Sequence, residues 1–238
     1  MNGFREMHAH FLYGVDDGAQ TREEMERMLD AAYADGIRRL YATPHVTPGI
    51  YPIENEVFAV RLQEAQHYCE GKRYDMEIFP GAEILYTPAI YRYAEENPLP
   101  TLGGSNLLLI EFTPTISLSE LKQAVKELTR MGYAVVLAHI ERYRCMYFGN
   151  AFWLKRRLDV AFQVNTSTVI HAGRTLRDWE IRQWFRRGLI SYVSSDAHNC
   201  SSRPFKMKAA YPRLLEWVGE RYAARLTGLR RKSRKTKK

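Results

Sequence analysis

Short apolar runs alternate with amphipathic stretches in a regular order along this chain of 238 residues. Seven runs have the length and character of buried strands, at residues 3–10, 37–43, 75–81, 106–111, 134–139, 161–165 and 189–194. The stretches between them repeat apolar side chains at helical spacing, which predicts helices near residues 21–36, 57–69, 118–131, 150–158, 175–187 and 205–225. Strands that alternate with helices of about 10–15 residues predict βα units on a parallel sheet.

The first of these helices shows how the sequence marks the ends of an element. Thr21 begins the motif Thr-Arg-Glu-Glu, so its side chain is expected to cap the helix while Glu24 reaches back to it. Gly36 is expected to end the same helix as a C-cap. No linker separates the seven strands, so we expect one α/β domain over residues 1–225, with the sheet closed or nearly closed into a barrel.

The net charge of +8 is concentrated at one end of the chain. Residues 229–238 carry seven of the 35 basic side chains and no acid, which leaves 28 basic against 27 acidic residues elsewhere. An isoelectric point of 9.4 would ordinarily suggest nucleic-acid binding, but the folded part has no such bias, so nucleic acid is disfavoured. We expect residues 226–238 to form a disordered tail, either simply solvated or attracted to an anionic membrane surface.

The sequence also predicts where in the cell the protein works. It has no apolar run of about 18 residues, and its N-terminus lacks the apolar stretch of a signal peptide. Its three cysteines are an odd number, lie far apart and form no Cys-x-x-Cys pair, which fits a reducing compartment. We therefore expect a cytoplasmic protein.

Polar side chains of the kinds that bind metals follow each predicted strand. In a βα barrel, catalytic groups gather where strands end and loops begin. Five of the seven histidines fall at these positions; His67 and His171 do not. A buried carboxylate costs several kcal/mol unless a cation neutralises it, so such a set predicts a metal site, although any one histidine alone is equally well explained by a hydrogen-bonded core position. The set comprises His8, His10, His45, Glu83, Glu111, His139, Glu141, Asn165, Asp196 and His198.

Several short motifs around these residues resemble the PHP superfamily. More narrowly, they are similar to the CpsB/CapC-type, manganese-dependent protein-tyrosine phosphatases of bacterial capsule and exopolysaccharide operons. The resemblance extends from about residue 5 to about residue 218. The motifs are His8-Ala-His10, Val15-Asp-Asp-Gly18, Thr43-Pro-His45, Pro80-Gly-Ala-Glu83, Leu109-Ile-Glu111, Ala138-His-Ile-Glu-Arg142 and Ser195-Asp-Ala-His-Asn199.

The resemblance implies a fold, a metal content and a set of ligands. The fold would be a distorted seven-stranded, TIM-like βα barrel, and it would hold three divalent ions: manganese first, with iron or zinc as alternatives. The first ion would be bound by His8, His10, Glu83 and Asp196; the second by Glu83, Glu111 and His139; and the third by Asp17, His45 and His198. Asp16 is an alternative to Asp17, and Arg142 and Arg203 would be the catalytic, phosphate-binding arginines.

Three departures from the family pattern bear on substrate and regulation more than on chemistry. Glu6 replaces the usual aspartate, Ile140 replaces the usual proline, and the basic tail has no counterpart. A cysteine phosphatase is the rival chemistry, but Arg203 follows Cys200 by only three residues, and that spacing is too short for a phosphate-binding loop.

The expected activity is hydrolysis of phosphotyrosine by a metal-activated hydroxide, with the tail of a membrane-associated bacterial tyrosine kinase as substrate. Phenolate is a good leaving group, with a pKa near 10, so an aryl phosphate needs less general-acid help than an alkyl ester. The alternatives are another PHP phosphoesterase, such as a histidinol-phosphate phosphatase or a nuclease, and a non-catalytic binding protein tethered by its basic tail. The sequence leaves a homo-oligomer open.

Overall fold

The computed structural model describes residues 3–49 and 55–229. The greater part of the expected basic tail, residues 230–238, therefore lies outside the described residues. Among the residues described, no helix is both long enough and apolar enough to cross a membrane.

The strands are parallel wherever they pair. Within the described residues they are β1 (Phe4–Glu6), β2 (Ile37–Ala42), β3 (His45–Val46), β4 (Glu77–Pro80), β5 (Glu83–Leu85), β6 (Leu107–Glu111), β7 (Ala134–Leu137), β8 (Val160–Asn165) and β9 (Tyr192–Ser194). Their hydrogen bonds give two ladders, β1-β2-β4 and β3-β5-β6-β7-β8-β9. A bridge between Ala9 and Ala197 brings the segment after β1 beside the segment after β9. The result is a single α/β domain on a curled parallel sheet.

The observed strands differ from the predicted ones in two ways: two are shorter, and two short strands are additional. The predicted strand at 3–10 keeps regular pairing only over Phe4–Glu6, and the one at 189–194 begins at Tyr192. Two further strands, β3 and β5, follow β2 and β4 after breaks of two residues. The second break contains Gly81, where an added Cβ would lie 2.7 Å from the Leu102 side chain, so a larger residue there would require Leu102 to move.

Helices cover the outer face of the sheet. They are α1 (Arg22–Ala34), α2 (Asn55–Gly71), α3 (Ala89–Glu96), α4 (Leu118–Arg130), α5 (Asn150–Arg157), α6 (Thr166–His171), α7 (Leu176–Arg186) and α8 (Met207–Leu226). The Thr21 side chain caps α1 by accepting from the Glu24 N–H. The Glu24 carboxylate accepts from Gln20 rather than Thr21, so the reciprocal half of the expected capping box is shifted by one residue. Helices α3 and α6 were not predicted, because each is short.

The hydrophobic core has a large outer part and a small inner part. The outer part lies between the sheet and the helices, and the buried face of α1 that contributes to it is the one predicted from spacing: Met25, Met28, Leu29 and Ala32. A separate cluster inside the curl comprises Met7, Leu102, Leu109, Val136 and Ala138. Met7 and Ala138 each directly precede a histidine of the candidate site, so apolar packing fixes the backbone from which those histidines project.

Candidate metal centre

The candidate site is built where the first and last strands of the sheet end. Glu6 is fully buried there, and its carboxylate accepts hydrogen bonds from the His8 N–H at 3.2 Å and from the Ser195 N–H at 2.8 Å. Burial raises the pKa of Glu6 to about 7, against the lowering effect of these hydrogen bonds. One carboxyl group thus ties together the segments that carry His8 and Asp196.

Four fully buried side chains meet next to that tie, and we call His8, His10, Glu83 and Asp196 the buried cluster. The Nε2 atoms of His8 and His10 lie 3.2 Å apart. Glu83 Oε2 lies 3.0 Å from His8 Nε2 and 3.2 Å from His10 Nε2. Asp196 Oδ1 lies 3.4 and 3.5 Å from the same two nitrogens. The His-x-His pair therefore converges on one point, as the sequence predicted, although it leaves the regular strand to do so.

Two oxygens of the buried cluster test whether it suits a cation. Glu83 Oε2 and Asp196 Oδ1 are buried, and neither has a hydrogen-bond partner among the described residues. Buried polar atoms are almost always hydrogen-bonded, so two such acceptors aimed at one point need an explanation. Imidazole and carboxylate groups are suitable ligands for divalent manganese, iron or zinc. The donor set fits a divalent ion.

The carboxylates and imidazoles of the buried cluster shift one another's pKa. Burial works against ionised Glu83, but the imidazoles of His8, His10 and His139 outweigh it and hold the pKa of Glu83 well below its usual range. Burial likewise works against charge on His10, yet the carboxylates of Asp16, Asp196 and Glu83 raise its pKa well above the usual value. A divalent ion supplies the positive charge that these imidazole protons otherwise provide.

Asp16 lies behind the buried cluster. Its Oδ2 is 2.7 Å from His10 Nδ1 and accepts from the His45 N–H at 3.0 Å, and its Oδ1 accepts from the Gly18 N–H at 2.9 Å. Asp16 therefore fixes the His10 ring with Nε2 facing the cluster, in the manner of the carboxylates that orient metal-binding histidines. Gly18 is required here because an added Cβ would lie 1.9 Å from the His10 carbonyl oxygen.

A second group is more accessible to solvent, and we call Asp17, His45 and His198 the open cluster. Asp17 Oδ1 lies 3.4 Å from His45 Nε2 and 3.3 Å from His198 Nε2. The Asp17 side chain is 64% exposed, whereas His198 is buried. Burial and the neighbouring His10 lower the pKa of His198 to about 4. The geometry thus brings Asp17, and not Asp16, to the two histidines.

Glu83 also connects these two clusters with a third group of ligand atoms. His139 Nε2 lies 2.8 Å from Glu83 Oε1 and 3.4 Å from Glu111 Oε1. His45 Nδ1 lies 3.2 Å from Glu83 Oε2 and 3.9 Å from Glu111 Oε2. Burial, followed by the charge of Glu83, raises the pKa of Glu111. All nine ligand residues expected from the sequence are thus in one continuous site, and His45 reaches two of its groups.

Sequence reasoning included Asn165 among the candidates but missed Gln163, and the two form a buried chain of amide hydrogen bonds on β8. Gln163 Oε1 accepts from the His139 N–H at 2.6 Å and lies 3.3 Å from His8 Nδ1. Gln163 Nε2 donates to Asn165 Oδ1 at 2.7 Å, and Asn165 Nδ2 donates to Asp196 Oδ2 at 2.9 Å. One chain of hydrogen bonds therefore positions three ligands. The available signal was a glutamine inside the apolar run Phe-Gln-Val.

The other polar residues at the strand ends have structural roles. Glu141 accepts from the Asn165 N–H and from the Thr168 hydroxyl, and it belongs to none of the groups of ligand atoms found among the described residues. His67 and His171 lie exposed on α2 and at the end of α6. The Cys200 side chain is exposed, but the protein around its thiol removes part of the solvent and so raises the thiol pKa. A thiolate nucleophile needs a lowered pKa.

Arg142 and Arg203 meet at the rim of the buried cluster. Their Nη2 atoms lie 2.7 and 2.8 Å from Asp196 Oδ2, and both side chains are partly exposed. Asp196 therefore presents one oxygen to the two guanidinium groups and the other to the histidines. An arriving oxyanion meets two arginine side chains directly beside the ligand atoms.

Comparisons with known proteins agree on the relationship. The sequence profile described as "Capsular polysaccharide synthesis, CpsB/CapC" matches residues 4–232. The tyrosine-protein phosphatase CpsB of Streptococcus pneumoniae is 28% identical over 228 residues, 93% of each chain. The tyrosine-protein phosphatase YwqE of Bacillus subtilis is 30% identical over 210 residues, covering 86% of this chain and 81% of YwqE.

A solved structure leads to the same result. It comes from crystal structures of YwqE from Bacillus subtilis and CpsB from Streptococcus pneumoniae, described as metal-dependent tyrosine phosphatases. Its TM-score with this protein is 0.83 at 27% sequence identity, covering 94% of this chain and 91% of that one. The fold, the order of the motifs and the sequence profile all agree, and the chain belongs to the CpsB/CapC family of capsular polysaccharide synthesis proteins.

Proposed function

We propose that this protein is a metal-dependent protein-tyrosine phosphatase, a hydrolase of phosphoric monoesters. The observation that carries the proposal is the contact of Arg142 and Arg203 with Asp196 Oδ2, since it places two phosphate-binding groups beside a carboxylate whose other oxygen faces His8 and His10. The relatives described above are named tyrosine-protein phosphatases, and they match this chain over nearly its whole length.

The ligands divide among three divalent ions in this proposal. The buried cluster would hold the first; Glu83, Glu111 and His139 the second; and the open cluster the third. Manganese is the first choice, with iron and zinc as alternatives. The unpartnered oxygens Glu83 Oε2 and Asp196 Oδ1 support the first ion, and the contacts of His139 Nε2 with both glutamates support the second. Bound divalent ions supply Lewis-acid stabilisation of phosphoryl oxygens and lower the pKa of coordinated water.

The arginines of the chain perform the rest of the binding. Arg142 and Arg203 are partly exposed, so their guanidinium forks can turn from Asp196 toward phosphoryl oxygens and form bidentate, charge-assisted hydrogen bonds. Asn165 keeps one hydrogen bond to Asp196 Oδ2 when they do so. The phenolate leaving group has a pKa near 10, so its departure does not demand a dedicated acid.

The remaining elements of the proposal concern fold and setting. Strands β2 and β3 count as one interrupted strand of the barrel, and so do β4 and β5. Counted in this way, the nine described strands give the distorted seven-stranded barrel that the family resemblance implies. The protein works in the cytoplasm on a phosphotyrosine protein of capsule or exopolysaccharide synthesis, namely a membrane-associated tyrosine kinase. The folded part carries the activity, and it extends past the boundary expected at residue 225, because Leu226 ends α8 and Thr227 is buried. The basic residues after it contribute attraction to anionic membrane.

A substrate comparison tests the activity. The full chain is assayed on a phosphotyrosine peptide, on histidinol phosphate and on single-stranded DNA, with added manganese and with excess chelator. We expect turnover of the peptide that chelation abolishes and manganese restores, and Cys200→Ser serves as a control that keeps this turnover. Preference for histidinol phosphate or DNA would indicate another phosphoesterase of the superfamily, and no turnover on any of the three would indicate a binding protein. Activity that survives chelation but is lost in Cys200→Ser would indicate the thiolate mechanism.

A further inference from the structure

Exposed apolar side chains are concentrated on one side of the molecule. Among the described residues, Phe148, Trp153, Leu176 and Trp179 make up four of the seven large hydrophobic side chains that are exposed. Phe148 is 94% exposed and Trp179 is 59% exposed. Apolar patches of this kind on a folded protein commonly mark an interaction site.

Two of these side chains, Phe148 and Trp179, line a groove between α5 and α7. We call it the aromatic cleft and define it by Phe148, Phe152, Trp179 and Trp184. Its volume is about 290 Å³, and Leu189 and Arg187 also line it. A groove lined by aromatic side chains and an arginine can hold one bulky apolar side chain of a peptide and so orient the neighbouring residues of that peptide.

The backbone of Phe148 has a strained conformation, and its side chain is exposed to solvent. Its φ angle is +57°, in the left-handed region that a bulky residue seldom adopts. No burial of the ring offsets this strain, since nearly all of the side chain is exposed. Strained residues concentrate at functional sites, so the position of Phe148 suggests a role outside folding.

One segment of the chain joins the arginine rim of the metal centre to the aromatic cleft. Arg142 lies only six residues before Phe148 on one connected segment. The Tyr147 hydroxyl donates to the Glu141 carbonyl oxygen at 2.8 Å, and the Tyr147 ring packs against Trp184 with centroids 5.1 Å apart. The same segment therefore contacts Asp196 at one end and lines the aromatic cleft at the other.

Positive charge borders the cleft. The carbon of the Arg156 guanidinium lies 5.5 Å from the centre of the Phe152 ring, and that of Arg187 lies 5.7 Å from the same centre. Arg157 lies 5.6 Å from the centre of the Trp153 ring. Helix α5 contains no acid among its residues, and Glu180 of α7, an acid that lines the cleft, accepts a hydrogen bond from the Gly149 N–H at 3.0 Å. In an isologous dimer the same patch meets itself, so these cations would oppose one another, which disfavours a second copy of this chain as the occupant.

We propose that the aromatic cleft docks the polypeptide that carries the phosphotyrosine. A bulky apolar side chain of that polypeptide lies in the cleft, and carboxylates beside it pair with Arg156, Arg157 and Arg187. This inference rests on the proposed function and adds specificity to it: the preferred substrate is an acidic peptide with an aromatic or large aliphatic residue near the phosphotyrosine.

The test separates docking from chemistry. The variants are Phe148→Ser with Trp179→Ser, and Arg156→Glu with Arg187→Glu. The matched controls are Val60→Ser, an exposed apolar residue of α2, and Arg221→Glu, an exposed arginine of α8. Substrates are 4-nitrophenyl phosphate, an acidic phosphotyrosine peptide containing phenylalanine, and the same peptide with serine in place of its acidic and apolar residues.

We expect both cleft variants to lower kcat/KM on the acidic peptide by about 10-fold, chiefly through KM, because anchor residues dominate such interfaces. Turnover of 4-nitrophenyl phosphate and of the serine peptide should stay within about twofold of wild type, as should all reactions of the controls. An equal loss on all three substrates, or no loss on the acidic peptide, would overturn the proposal.

Two further measurements keep the test decisive. Fluorescence anisotropy with the labelled, unphosphorylated acidic peptide reports docking without turnover, and the cleft variants should bind it about 10-fold more weakly. If wild type binds this peptide but hydrolyses none of the substrates, the proposed function fails while the docking surface stands. If instead the cleft variants convert an oligomeric wild type into monomers, the cleft is an interface between copies and the docking proposal is wrong.

Discussion

The buried cluster and the open cluster lie side by side, with His10 close to both, but their side chains are held very differently. In the buried cluster, His8 faces Gln163, His10 faces Asp16, and Asp196 accepts from Asn165. In the open cluster, Asp17 is mostly exposed, and it touches His45 and His198 at no less than 3.3 Å.

This difference concerns preorganisation. The ligands of the buried cluster are fixed by hydrogen bonds before an ion arrives, so binding an ion there costs little side-chain entropy. Asp17 loses its rotamer freedom only when an ion binds. We expect the buried cluster to bind its ion tightly and the open cluster to bind more weakly and exchange faster.

The largest effect should come from the carboxylate that joins the clusters. Glu83→Gln keeps the size of the side chain but removes the charge that faces His8, His10 and His139. We expect bound metal to fall by at least one ion per chain and turnover to fall on the order of 10³-fold or more. Elemental analysis and initial rates on a phosphotyrosine peptide measure both, and Glu216→Gln on α8 is the control. Full metal content in Glu83→Gln would remove Glu83 from the ligand set.

The arginine rim should respond differently from the ligands. Arg203→Ala should lower turnover by about 10²–10³-fold, the range for losing one electrostatic donor, while bound metal stays at the wild-type level. Arg203→Lys should recover only part of the rate, because a point charge cannot reproduce the planar fork. Loss of metal together with activity would show that Arg203 supports the cluster and does not bind phosphate.

Preorganisation itself can be tested by a pair of variants. Gln163→Leu removes the group that holds His8 and His139, so the tightest metal-binding step should weaken by about 10–100-fold. Asp17→Asn should weaken only the weakest step. Titration of metal-free protein with manganese, followed by calorimetry, distinguishes the steps, and thermal unfolding of the metal-free variants checks the fold. Equal effects of both variants on both steps would show that the clusters are not held differently.

The smallest effect concerns pH. Opposed carboxylates raise the pKa of His8 and His10 despite burial, so an ion that binds at the buried cluster competes with protons for these imidazoles. Affinity at the buried cluster should therefore fall as pH falls from 7 to 6, by about 10-fold for each proton released. His198, with a pKa of about 4, is already neutral in this range and adds no such dependence. Calorimetry in buffers of different ionisation enthalpy counts the protons, and no release at the first step would contradict the assignment.

The fold and the site differ in how far the sequence predicted them. The prediction of a parallel α/β domain and of the family is confirmed, because strand and helix periodicity and the motif order are both local signals. The convergence of eight of the nine candidate ligands followed from one rule, that the carboxyl ends of parallel strands face the same edge, and the ninth, Asp17, came from the family resemblance. Strands β3 and β5, of two and three residues, were missed because so few residues show no period.

What could not be predicted depends on three-dimensional contacts. The resemblance favoured Asp17 over its neighbour Asp16, but the role of Asp16 appears only in the fold, where it faces His10 from behind while Asp17 faces His45 and His198. Gln163 interrupts an apolar strand as a single polar residue, and its partners lie 24 and 155 positions away in the chain. No pattern along the sequence could identify those partners.

The hydrogen bonds of Glu6 to His8 and Ser195 also have a consequence for biosynthesis. The buried cluster needs residues from both ends of the fold, since His8 and Asp196 are separated by nearly the whole chain. At roughly 5–20 residues per second, a ribosome needs roughly 10–40 s between making the first ligand and making the last. A chain released early by a stalled ribosome has its first histidines but lacks Asp196, Arg203 and the Ser195 N–H that binds Glu6. Shortened chains therefore cannot form the buried cluster, and only a chain that includes Asp196 can be active.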